Sequence, residues 1–169
     1  MIKIRNSVFE TNSSSVHAIC VGKMPENVEG LTVTLSIGKF GWERSWLTDI
    51  DGRASYIYTL ACLLYGKDFY NKFKEMLTPY GINVKCTWDR PLFSNYGEDR
   101  YYLANGGVDH GGELQEFLDK CLEDSDTLVR FIFGEDSFVM TTNDNCDYNE
   151  EEKDAKKLAG DNELIWKWN

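Results

Sequence analysis

Residues 55–66 read SYIYTLACLLYG, a run that is apolar almost all the way round a helix. A helix without a polar face needs cover on every side, so the rest of the chain must wrap it. The chain has 169 residues, the size of one domain spanning 1–169. Its residues are 42% hydrophobic and 14% aromatic, which suffices for a core despite a mean hydropathy of −0.44. A chain of this size buries roughly 70% of the surface its unfolded form exposes.

The remaining patterning supplies the cover. Residues 2–10 alternate as a strand, TNSSS is turn chemistry, and VHAICV resumes as a strand, so an N-terminal hairpin is expected. LTVTLSIG is a further strand, with Leu31, Val33 and Leu35 on one side. KDFYNKFKEMLTPYG is an amphipathic helix stopped by Pro79 and Gly81. INVKCTW alternates as a strand. The long connection after it conceals a hairpin around YYLA or is a functional loop. GELQEFLDKCLED and SDTLVRFIFG read as two more helices, the second capped by Ser125 or Asp126. DSFVMTT is a strand, NDNCDYNEEEKD an acidic loop and ELIWKWN an edge strand. The expected class is α+β, an antiparallel mixed sheet with an N-terminal hairpin and three to four helices, in a single domain.

Charge is unevenly distributed. Residues 107–154 hold fifteen acids and three bases, while the rest holds thirteen acids and fifteen bases, within a chain total of −10. Such a field repels phosphates and attracts basic protein surfaces, which excludes an ordinary nucleic-acid binder. The expected docking acids are Glu123, Asp124, Asp126, Glu135, Asp136, Asp144, Asp147, Glu150, Glu151 and Glu152. No apolar run approaches the ~18 residues that span a bilayer, and the start lacks signal-peptide features, so a cytoplasmic protein is expected. Five scattered cysteines without a CxxC are free thiols or metal ligands in a reducing compartment.

Candidate chemistry gathers around the two histidines. In ETNSSSVH, the residues Glu10, Asn12, Ser13, Ser14 and Ser15 can line a polar pocket with Arg5 and Asp109, and the serine hydroxyls can donate to an anion. The HxxC pair of His17 and Cys20 falls on opposite strand faces, and Cys20 shares a core face with Ala18. VDHGG places His110 beside Asp109. Two histidines with a third ligand, from among Cys86, Asp109 and Cys121, would make a zinc site, and His17, His110 and Cys86 are the expected set. NDNCDYNEEEKD departs from a calcium loop at the turn and at its last ligand. An enzymatic reading makes His17 or His110 the general base of a small hydrolase or transferase acting on a nucleotide or modified group.

RNSVFETNSSSVH resembles the opening of a family of small proteins common in phages and prophages of Gram-positive bacteria. VDHGGELQEFL and FGEDSFVMTTNDN resemble later blocks of it. The positions carried over are Arg5, Phe9, Glu10, Thr11, Asn12, Ser13, Ser14, Ser15, His17, Asp109, His110, Asn143, Asp144 and Asn145. The resemblance implies a phage origin, and through it an inhibitor of host defence similar to zinc-containing type II anti-CRISPR proteins. The implied partner is a CRISPR effector nuclease in the host cytoplasm, bound through its basic lobe so that DNA loading is blocked.

Overall fold

The computed structural model describes residues 16–87, 90–95, 101–142 and 148–168. The expected strand over 2–10 and the TNSSS turn lie outside these residues; the second strand of the expected hairpin, VHAICV, is described, and later strands pair with both its edges. The fold is α+β, as the patterning implies.

A four-stranded antiparallel sheet carries the site. Its strands are β1 (Val16–Val21), β4 (Ser45–Leu47), β9 (Phe138–Thr142) and β10 (Glu163–Trp168), in the order β10-β1-β9-β4. VHAICV is therefore an interior strand, hydrogen-bonded to partners over a hundred residues away in sequence. Smaller ladders complete the strands. β2 (Thr32–Leu35) runs parallel to β5 (Asn83–Cys86), and β3 (Lys39–Phe40) runs parallel to β8 (Gly107–Val108). The concealed hairpin near YYLA exists: β6 (Phe93–Asn95) pairs antiparallel with β7 (Tyr101–Leu103).

The apolar helix is α1 (Ile50–Tyr65), begun by Asp49, whose Oδ1 accepts from the Gly52 N–H at 2.7 Å. Ten consecutive residues from Arg53 to Cys62 are buried, as a helix without a polar face requires. Its cover comes from the sheet and from α2 (Tyr70–Leu77), α3 (Gln115–Glu123) and α4 (Ser125–Phe133). Ile19 and Val21 of β1 and Val139 of β9 face this layer. Ala18, Cys20, Phe138 and Met140 point the other way, against Ala155 and Ala159 of α5 (Tyr148–Ala159). The alternation of side chains along β1 and β9 thus separates two cores.

Two expectations need correction. Residues 148–154, taken as part of an acidic loop, begin α5. Glu150 and Glu151 occupy its first turn and Lys156 and Lys157 its last, which suits the helix dipole. Lys156 Nζ pairs with Glu152 Oε1 at 2.5 Å across one turn. The cap of α4 is Asp124, not Ser125 or Asp126. Its carboxylate accepts from the Asp126 and Thr127 N–H groups at 3.1 and 3.2 Å.

Arg53, 3% exposed, joins these layers. Its Nε and Nη2 donate to the Ile132 carbonyl at 3.0 and 2.6 Å, and Nη2 also reaches the Gly134 carbonyl at 3.3 Å. Nη1 donates to the Ser137 carbonyl at 2.7 Å and to that of Thr48. All five guanidinium N–H groups find acceptors, and the charge sits at the C-terminus of α4, where the dipole favours a cation. Replacing Arg53 with Met takes the guanidinium donors from the Ile132, Ser137 and Thr48 carbonyls, while Gly134 keeps the Ser137 N–H; at about 1–3 kcal/mol each, the variant should lose at least about 3 kcal/mol of stability. Urea unfolding checks this: the midpoint should fall while the slope stays unchanged.

Candidate polar site

His17 is the second residue of β1 and is 2% exposed. Its register neighbours are Thr141 of β9 and Lys167 of β10. It faces α1, and there the Tyr56 hydroxyl lies 2.8 Å from Nδ1. Tyr56 is fully buried, and burial raises its pKa well above the ordinary value, so the phenol keeps its proton and donates it to Nδ1. The imidazole also hydrogen-bonds the backbone of Asp109. Burial pulls the His17 imidazole down to about 4, against the opposing pull of that hydrogen bond and of the Asp109 carboxylate. His17 is therefore neutral at pH 7, hydrogen-bonded to Tyr56 and to the Asp109 backbone.

Asp109 and His110 follow β8 directly. The ladder between β3 and β8 extends one step beyond β8, with the Asp109 N–H donating to the Phe40 carbonyl at 2.8 Å. Asp109 Oδ2 is buried and hydrogen-bonded to nothing among the described residues. His110 Nε2 lies 3.9 Å from it, on a side chain 31% exposed. Among the described residues His110 is the one non-glycine with positive φ, at 50°.

Gly41 seals one side of the cluster. Its φ is +102°, and a Cβ there would lie 2.8 Å from Asp109 Cβ and 3.0 Å from His17 Cε1 and Nε2. Any side chain would collide with both residues, so only glycine fits. Gly41 also lines a cleft of about 410 Å³, bounded by Lys39, Phe40, Trp42, Glu43, Leu47 and Thr141. The ring of Phe40 packs edge-on against Tyr56 with centroids 5.3 Å apart, which links the cleft wall to the hydrogen-bonded chain.

The structure thus brings together His17, Asp109 and His110 from the expected set, and adds Tyr56, Gly41 and Thr141. Arg5, Glu10, Asn12, Ser13, Ser14 and Ser15 lie outside the described residues, although the chain enters β1 one residue before His17. Cys86 is elsewhere. Its electrostatic neighbours are Tyr58, Cys62 and Arg90. Tyr58 is two positions from Tyr56, on the opposite side of α1 from His17. Among the described residues no three His, Cys, Asp or Glu side chains are placed to hold a metal ion. Cys86 therefore lies across α1 from His17, and the described residues do not bring the three expected ligands together.

The docking acids divide. Glu123, Asp124 and Asp126 sit at the α3–α4 junction on the α1 side of the sheet, and Glu150, Glu151 and Glu152 lie on α5 against the other side. Several serve the fold. Asp124 caps α4, Asp126 takes the Tyr80 hydroxyl, and Glu151 pairs with Arg44 at 2.9 Å with a side chain 7% exposed. Glu135 and Asp136 are exposed in the turn after α4, and Asp144 and Asp147 lie outside the described residues. Among the described residues no helix is long and apolar enough to cross a membrane.

Comparison with known proteins finds no matching family model, curated protein or solved structure.

Sequence reading missed Tyr56 because the helix looked uniformly apolar. A phenol buried in such a helix needs a hydrogen-bond partner, and that was the available signal. The His17 environment gives a pH dependence with a definite sign. The folded pKa of about 4 lies below the ordinary 6.5, so the unfolded chain binds more protons between these values. This contribution is fully present above pH 6.5 and is lost as pH falls through 4, in total about 3 kcal/mol. The stability difference between wild type and His17→Asn, from urea midpoints at pH 7, 5.5 and 4.5, should shrink steadily over that window. A constant difference would contradict a neutral buried His17.

Proposed function

We propose that the protein is a small enzyme performing hydrolysis or group transfer by acid–base chemistry at Asp109 and His110. The observation that supports this is the meeting of two costly features in adjacent residues. His110 holds a left-handed backbone beside a buried Asp109 carboxylate oxygen that no described residue hydrogen-bonds. Backbone strain of this kind costs of order 1–3 kcal/mol and tends to occur at functional sites. An unbonded buried carboxylate oxygen adds a further cost.

The roles follow from accessibility. His17, 2% exposed and hydrogen-bonded to Tyr56 and to the Asp109 backbone, is out of a substrate's reach. It is a positioning residue that carries the fixed position of Tyr56 to the Asp109 backbone. His110, nearly a third exposed, is the group that can take and return a proton. Asp109, 3.9 Å from its Nε2, can orient that ring or stabilise the imidazolium when a substrate closes the distance. His110→Asn should lower turnover of a responsive substrate by roughly 10²–10⁴-fold with the urea midpoint near wild type. The probes are 4-nitrophenyl phosphate, 4-nitrophenyl acetate and the nucleoside mono- and triphosphates. Equal rates in both proteins on every probe would sink the reading.

A second reading is inhibition of a bacterial nuclease, specifically a type II CRISPR effector, by docking on its basic lobe. It is favoured by Glu113, in the turn just before α3, and Glu116 and Glu123 on α3, all exposed and without ion pairs among the described residues. Changing all three to Gln should slow association with such a nuclease and flatten its salt dependence. Surface plasmon resonance at 50 and 300 mM salt separates the outcomes.

A further inference from the structure

We propose that the cleft beside Gly41 binds a nucleoside monophosphate, with the base stacked on Trp42 and the phosphate held by Lys39. This deepens the acid–base reading, on which it rests, by naming the substrate class of that site.

Trp42 carries the stacking surface. It is 49% exposed, and unlike an isolated surface aromatic it forms the wall of a cleft that shares Gly41 with the His17–Asp109 cluster. The indole lies against backbone. A Cβ added at Gly107 would come within 3.2 Å of Trp42 Cη2, so the absence of a side chain there lets the ring edge rest on β8. One side of the ring is thus supported and the rest is open to the cleft. A supported, exposed indole is a stacking platform for a planar heteroaromatic ring.

The rim supplies the polar complement. Lys39 is exposed and lines the cleft, and its ammonium suits a phosphate. Glu43, also on the rim, offers an acceptor for an exocyclic amino group. The loop that carries Trp42 and Glu43 is fixed, because Thr141 Oγ1 donates to the Glu43 carbonyl at 2.9 Å. Phe40 and Leu47 provide apolar wall, and the volume of about 410 Å³ falls within the range of small-ligand sites. The chain's overall acidity opposes a long polyanion, whereas one phosphate next to a lysine is compatible with it.

Calorimetric titration of the full chain tests this, with AMP, GMP, CMP and UMP as probes and with adenosine and inorganic phosphate as controls. At least one monophosphate should bind saturably at one per chain. Trp42→Ala should weaken that binding by roughly 5- to 100-fold, the range of single-base stacking. Lys39→Gln should weaken the monophosphate and leave adenosine unchanged. Both residues are exposed, so the variants should fold. Absence of saturable binding by all four monophosphates overturns the inference, as does affinity that neither variant changes. His110→Asn keeps the two readings apart. Nucleotide binding that depends on Trp42, with turnover indifferent to His110, upholds the cleft and removes the acid–base role. Turnover that depends on His110, on substrates without a ring and with no nucleotide binding, does the reverse.

Discussion

The buried guanidinium of Arg53 fixes how α1 lies against everything else. Its fork is rigid and its five donors are all spent on backbone carbonyls, before α1, at the end of α4 and just before β9. Burial lowers its pKa, but a guanidinium stays charged, so those carbonyls must converge on it wherever it goes. Three residues further along the same face of α1 stands Tyr56, which reaches His17 in β1. The position of the polar site is therefore set by the same helix face that holds the carbonyls of α4 and β9.

From Tyr56 the constraint passes through His17 to Asp109. Each link is a buried hydrogen bond, in surroundings where an unmade bond is costly. Neutral His17 suits this role, since a charged imidazole there would need a counter-ion in a dry site. The outcome is a loop, Asp109–His110, held in a conformation its residue types do not favour. The interior of the fold pins the loop, and Gly41, which touches Asp109 and His17, also lines the cleft.

The acidic stretch shows how a strong sequence signal divides on folding. Fifteen acids within forty-eight residues suggest one negative surface. The chain instead crosses the sheet through β9 inside that stretch, which puts α4 and α5 on opposite sides. Part of the charge is then consumed by the fold, in the cap of α4, the Glu151–Arg44 pair and the Tyr80–Asp126 hydrogen bond. Glu113, Glu116 and Glu123, in and just before α3, stay exposed as a stripe that a basic partner could meet.

Local patterning was enough to place α1, α2, α3, α4, β2, β5 and β9, because each is either a continuous apolar run or carries apolar residues at its own period. It also put His17 and Cys20 on opposite faces of β1, since side-chain alternation is a property of any strand. The sequence likewise marked Asp109 and His110 as polar chemistry beside glycines. It left α5 hidden, because charge pairs and two buried alanines, rather than a broad apolar face, define that helix. Tertiary structure alone decided that β1 lies between β9 and β10, that Cys86 sits across α1 from the histidines, and that Tyr56, Gly41 and Trp42 belong to the site. These are contacts between residues far apart in the chain. No local pattern encodes which buried phenol meets which imidazole, or which glycine must stay bare so that two loops can touch.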